Sequence, residues 1–112
     1  MYGILKDRKV VACGYFRQLR WLSDPRTDRR VGRDLVGDYT VSTVFLSVPI
    51  AKVSQNSKDP GDYYWFETLV THPAEDELDD RYSSWEEAEA GHRRHVELCR
   101  SKLRRNDTSQ TG

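Results

Sequence analysis

Between residues 83 and 105 the apolar side chains Trp85, Ala88, His92, Val96, Cys99 and Leu103 recur at alternating spacings of three and four. That spacing predicts one long helix with a narrow apolar stripe, which needs a flat surface to lie on. Ser83 or Ser84, followed by Glu86 or Glu87, supplies the capping-box pattern for its start, and the expected end is near Arg105. Gly91 sits in the middle, where glycine costs about 1 kcal/mol relative to alanine. Close approach of the sheet, or of a bulky aromatic such as Trp65, is the simplest compensation; a ligand needing backbone access is the alternative.

Two segments suit the required surface. Residues 39 to 48, YTVSTVFLSV, put Tyr39, Val41, Thr43 and Phe45 on one face and Thr40, Ser42, Val44 and Leu46 on the other, with Pro49 expected to close the strand. Residues 63 to 72, YYWFETLVTH, form a second strand ended by Pro73, joined to the first by the long polar loop of residues 50 to 62. Residues 29 to 35 read as an edge strand turning at Val36-Gly37-Asp38. Residues 2 to 5 and 9 to 12 read as a small hairpin. Tyr15, Phe16, Leu19 and Leu22 mark one face of a short helix that Asp24-Pro25 ends. The expected fold is α+β, a small antiparallel sheet of three to five strands with two helices packed against one face. A single domain spans residues 1–106, with a disordered polar tail at 107–112.

Charge is balanced overall, 18 Lys and Arg against 18 Asp and Glu, which argues against sequence-independent nucleic-acid binding. Locally it is segregated. Glu75, Asp76, Glu77, Asp79, Asp80, Glu86, Glu87 and Glu89 stand against Arg81 alone, whereas Arg93, Arg94, Arg100, Lys102, Arg104 and Arg105 stand against Glu97. The charges within the helix complement its macrodipole, and residues 75 to 80 with the first helical turn offer an acidic surface to a basic partner. Arg17, Arg20, Arg26, Arg29, Arg30 and Arg33 form an all-arginine cluster suited to carboxylates or phosphates, and free to pair with that acidic stretch. Glu75, Asp76, Glu77, Asp79, Asp80, Arg26, Arg29 and Arg30 are the candidate interaction surface. Cys13 and Cys99 lack paired spacing and read as free thiols in a reducing cytoplasm. No apolar run approaches the roughly 20 residues needed to span a bilayer, and none resembles a secretory signal.

Candidate chemistry is sparse. His92, His95 and Cys99 share a helix face at metal-ligand spacing, but a third or fourth ligand, from His72 or Cys13, would have to come from elsewhere in the fold, so neither a metal nor a cofactor is expected. Cys13, ahead of a helix start, is the one thiol placed for activation, without a His or Asp at a recognisable spacing. Glu67 is the lone acid of the aromatic strand, either a general base or a partner for an arginine. No phosphate-binding glycine pattern occurs.

Val41-Ser42-Thr43-Val44-Phe45-Leu46, Phe66-Glu67-Thr68 and Tyr82-Ser83-Ser84-Trp85-Glu86-Glu87-Ala88-Glu89-Ala90-Gly91-His92 follow one another in order. Together with Arg29-Arg30-Val31 and Val36-Gly37-Asp38, they resemble a family of small proteins encoded by bacteriophages and prophages. The resemblance spans about residues 28 to 96. It implies a phage protein in the cytoplasm of a bacterial host and brings no catalytic activity with it. The family's Asp-His pair and glycine-rich loop after the first strand are missing here, where Val48-Pro49-Ile50 leads into a longer polar loop. Glu67 and His92 hold family positions, while His95 belongs to this chain.

The expected function is non-enzymatic binding of a host or phage protein, with inhibition of a defence system such as CRISPR-Cas as one form. The rival is a small enzyme or ligand-binding protein with a pocket around Glu67, Tyr82, Trp85 and His92.

Overall fold

The computed structural model describes residues 1–52 and 57–110, with side chains followed through residue 105. A hairpin of β1 (Tyr2–Lys6) and β2 (Lys9–Cys13) leads into α1 (Tyr15–Ser23). Then come β3 (Arg30–Val36), β4 (Tyr39–Ala51), β5 (Tyr63–His72) and β6 (Glu75–Tyr82), and finally α2 (Trp85–Gln110). The four later strands form one antiparallel sheet in the order β3-β4-β5-β6, and the hairpin is a sheet of its own. The chain is therefore α+β, with both helices on one face of the larger sheet.

Alternation in β4 fixes that face. Tyr39, Val41, Thr43, Phe45 and Ser47 are buried, while the intervening residues are partly or fully exposed. The strand does not stop at Pro49 but runs on to Ala51. Pro49 falls between Phe45 and Ile50, where the register to β5 shifts, and pairing to β3 has already ended at Val44. A missing N–H disturbs no ladder there. The loop expected over residues 50 to 62 is correspondingly shorter: a 3-10 turn at Pro60–Asp62 closes it, capped by Asp59 accepting from the Gly61 N–H, and residues 53–56 lie outside the described residues.

β6 was not foreseen as a strand. Its acids hide the alternation, yet Leu78, Asp80 and Tyr82 face α2 while Glu77, Asp79 and Arg81 face away, set by the pairs Val70↔Leu78, Thr68↔Asp80 and Phe66↔Tyr82. Being an edge strand, it solvates its charges easily.

α2 starts as expected: Ser84 Oγ accepts from the Glu87 N–H at 3.2 Å and donates to Glu87 Oε1 at 3.0 Å. It buries Ala88, Gly91, His92, His95, Val96 and Cys99, so Gly91 and His95 widen the expected stripe. The helix continues to Gln110, past the expected end and into the polar segment; residues 111–112 lie outside the described residues.

α1 differs from expectation in the face it buries. Gln18 is buried and Trp21 packs edge-on against Phe45 at 5.7 Å, whereas Tyr15, Phe16, Leu19 and Leu22 are exposed. Gln18 Nε2 donates to Ser47 Oγ at 2.9 Å, and Ser47 Oγ donates to the Gly3 carbonyl at 2.8 Å, tying helix, sheet and hairpin together. A buried amide with its partners made is stable in that position.

The core has two apolar parts. Val36, Tyr39, Val41, Val70, Val96 and Cys99 fill one end; Phe45, Tyr63, Trp65, Phe66, Tyr82 and Ala88 fill the other. Between them along β4, β5 and α2 lie Thr43, Thr68 and His92, all buried.

Candidate functional site

That polar layer is hydrogen-bonded, in two groups. His92 Nε2 lies 2.7 Å from Asp34 Oδ2, and its Nδ1 lies 2.8 Å from Thr43 Oγ1. Thr43 Oγ1 is 2.5 Å from Thr68 Oγ1. Tyr82 donates to Asp80 Oδ2 at 3.2 Å, and Asp80 also takes His95 Nε2 at 3.1 Å and the Arg94 guanidinium at 3.3 Å. The first group joins β3, α2, β4 and β5 beneath the helix, and the second joins β6 to α2.

Donor direction in the first group is constrained, because hydroxyls have one proton each and an ionised carboxylate only accepts. An ionised Asp34 accepts from His92 Nε2–H, and His92 Nδ1 shares its bond with the Thr43 hydroxyl.

Burial draws the Asp80 carboxyl upward, but hydrogen bonds from His95, Tyr82 and the Arg81 N–H outweigh it and hold the group below its ordinary value. Burial raises the Tyr82 hydroxyl above its ordinary value. Thr43 is fully buried, so the Asp34–His92–Thr43 series, although it has the order carboxylate, imidazole, hydroxyl, keeps its hydroxyl away from any substrate. What reaches the surface is Asp34 and the rim of His92, in a cleft of about 390 Å³ shared with Arg93, Val96, Glu97 and Arg100.

The glycines on either side of this layer explain themselves. A Cβ on Gly91 would stand 2.2 Å from the Tyr82 hydroxyl oxygen, so Tyr82, not Trp65, makes the close approach. A Cβ on Gly32 would stand 2.8 Å from His92 Nε2. Trp65 meets a different glycine, Gly3 of the hairpin.

The four side chains grouped as a pocket are not gathered on one surface. Glu67 lies opposite Val44 on the face away from the helices and accepts from Arg81 Nε at 3.1 Å. Tyr82 and His92 are in the two polar groups on the other face. Trp85 stands edge-on to Phe66 at 6.1 Å, donates to Glu89 Oε2 at 3.0 Å, and carries the Arg8 guanidinium 5.2 Å above its ring.

The candidate interaction surface divides as well. Arg29 and Arg30 begin the β3 edge, Arg26 forks onto Asp24 just before it, and Glu75, Asp76, Glu77, Asp79 and Asp80 lie on β6 at the opposite edge. Two strands intervene, so the arginines do not pair with the acids. Glu75 instead accepts from the Tyr39 hydroxyl and from Lys102 Nζ at 3.3 Å, and Asp79 meets Arg81 at 3.0 Å. The bond from Tyr39 is the main reason the Glu75 carboxyl is lowered, and the same bond, with burial, pushes the Tyr39 hydroxyl up to about 12.

His92 and His95 direct their bonded nitrogens to Thr43, Asp34 and Asp80. Among the described residues no group of three His, Cys, Asp or Glu side chains is placed to hold a metal ion. Cys99 is buried, which raises its thiol, and Cys13 ends β2 as a second free cysteine. Asp34, Thr43 and Thr68 are the participants that sequence reasoning missed, while Asp80 was read as part of an interaction surface. One signal was available: Thr43, like Ser47, interrupts the apolar face of β4, at the height where His92 interrupts the helix stripe.

Fold and site together define a small α+β protein whose interior polar groups are spent on one another. No protein-family model, no curated protein and no solved structure matches the chain. No helix among the described residues is long and apolar enough to cross a membrane.

Proposed function

We propose that this chain is a small phage-encoded accessory protein that acts in the host cytoplasm by binding a host or phage protein, without catalysis. Inhibition of a bacterial defence system such as CRISPR-Cas is one form that such binding would take. The observation that carries the reading is the exposed stripe of α1. Phe16 is 78% exposed, and Tyr15, Leu19 and Leu22 beside it are exposed too, while the helix is anchored from its other side by Gln18 and Trp21. Covering one such aromatic side chain is worth about 1.5–3 kcal/mol, and a contiguous apolar stripe on a small protein is a mark of an interaction site. Arg17 and Arg20 flank it without an ion pair among the described residues, which suits a partner with acidic residues around an apolar centre.

The rival reading, an enzyme or ligand-binding protein, needs Glu67, Tyr82, Trp85 and His92 around one concavity, and Glu67 stands on the far face of the sheet.

Affinity capture from lysate of phage-infected bacteria, with the wild-type chain and a Phe16→Asp/Leu19→Asp variant run side by side, tests the proposal. A stoichiometric protein retained by the wild type and lost with the variant is expected. Failure to retain any stoichiometric protein, or equal retention by a folded variant, refutes it.

A further inference from the structure

We propose that copies of this chain join edge to edge, β3 of one beside β6 of the next, extending the four-stranded sheet from molecule to molecule. Both strands are sheet edges with no strand on their outer side among the described residues. Such edges present unpaired backbone N–H and C=O groups.

The strand directions fit. Three successive antiparallel steps separate β3 from β6, so the two edges run in opposite senses. Two copies in the same orientation therefore bring β6 and β3 together antiparallel, with the helices of both on one side.

Charge then selects which edges meet. Arg29, Arg30 and Arg33 are exposed at the β3 edge and Asp76 and Glu77 on β6, and none of the five carries an ion pair among the described residues. Edge charges ordinarily keep sheets apart by repulsion. Here they repel only like edges: β3 against β3 would align arginines, and β6 against β6 would align its five acids. The mixed contact is attractive. Faces also agree, since Arg33 lies opposite Ser42 on the side away from the helices, the side that Glu77 and Asp79 share. Cross-strand pairs form between residues on one face. Because the two edges are different surfaces, the contact is head-to-tail, and assembly proceeds until a ring closes or as an open array.

The contact leaves α1 free, so it stands or falls separately from the partner-binding reading. Sedimentation velocity of the full chain, over a concentration series at low and at high salt, reads it directly. A mass rising above 13.1 kDa with concentration, and falling back in high salt, is expected. Two variants test the edges: Arg29→Glu/Arg33→Glu on β3, and Asp76→Lys/Glu77→Lys on β6, each checked for folding by circular dichroism. Each alone should remain a single chain, and an equimolar mixture should assemble again, because its edges are complementary. A wild type that stays monomeric at every concentration overturns the proposal, as do folded variants that assemble like the wild type or a mixture that stays monomeric. A monomer that takes up a basic extended peptide on β6 but never its own copies overturns it equally.

Discussion

Alanine is the better helix former, so Gly91→Ala in the middle of α2 should stabilise the protein by about 1 kcal/mol if propensity alone decided. The structure reverses the sign. The added Cβ would lie 2.2 Å from the Tyr82 hydroxyl oxygen and 2.3 Å from two of its ring carbons, more than 1 Å inside ordinary van der Waals contact. Tyr82 is buried against Phe66 and Ala88 in one apolar cluster, so its ring has no open space to enter. Overpacking of this kind costs about 1–3 kcal/mol, and displacing the hydroxyl from Asp80 loses a further ~1 kcal/mol. Set against the helical gain, the expected net loss is about 1–3 kcal/mol, a fall in the urea midpoint of about 1 M. Equilibrium urea unfolding followed by circular dichroism measures it. The decisive companion is Gly91→Ala in a Tyr82→Leu background, where the distal ring atoms are gone and the alanine should be neutral or stabilising by up to about 1 kcal/mol. A higher midpoint for Gly91→Ala alone, or the same loss in both backgrounds, refutes the assignment of Gly91 to Tyr82.

Thr43→Val keeps the shape of the layer and removes the hydroxyl that joins His92 to Thr68; it should cost about 1–3 kcal/mol in urea unfolding, with less than an additive cost when Thr68→Val is combined with it. The Asp80 carboxyl is held below its ordinary value of 3.8, so the stability it contributes is present above that pH and is lost as pH falls through the lower folded-state value. Acid unfolding of Asp80→Asn should therefore be flatter in this range than that of the wild type. Tyr39, with its hydroxyl pushed up to about 12, contributes stability that is full below the ordinary tyrosine value of 10.0 and is lost as pH rises toward 12. Ultraviolet titration should show one late-ionising tyrosine that disappears in Tyr39→Phe, and an unchanged curve would discount the bond to Glu75.

The parts of the fold that could be read in advance are those in which period and burial agree. β4 alternates and buries its odd positions; α2 repeats at three and four and buries its stripe. β6 escaped because five acids in eight residues leave only Leu78 and Tyr82 to signal the inward face, and it is held by pairing to β5. The polar layer was half visible. His92 in an apolar stripe and Thr43 on an apolar strand face were each odd locally, but only the register Thr43↔Thr68 and the placement of Asp34 at the β3 edge make them one chain. Sequence carries neither the register nor the height at which a helix crosses a sheet.

α1 is the place where periodicity and burial part company, and that difference bears on function. Its stripe of Tyr15, Phe16, Leu19 and Leu22 has the spacing of a core-facing helix, yet the residues turned inward are Gln18 and Trp21. Rotating the helix to bury the stripe would cost Gln18 its bond to Ser47, and Ser47 is also the residue that holds the Gly3 carbonyl of the hairpin. A buried polar group stripped of its partner costs about 1–3 kcal/mol, comparable to what burying one of the stripe's side chains would return. The bond thus fixes which face of α1 meets solvent. Inside the molecule no buried side-chain nitrogen or oxygen among the described residues is without a partner. Among the described residues the groups left uncommitted are on the surface: the α1 stripe, Arg29, Arg30 and Arg33 at the β3 edge, and Asp76 and Glu77 of β6. A partner protein of the kind proposed needs spare surface, and the α1 stripe is where this chain offers it.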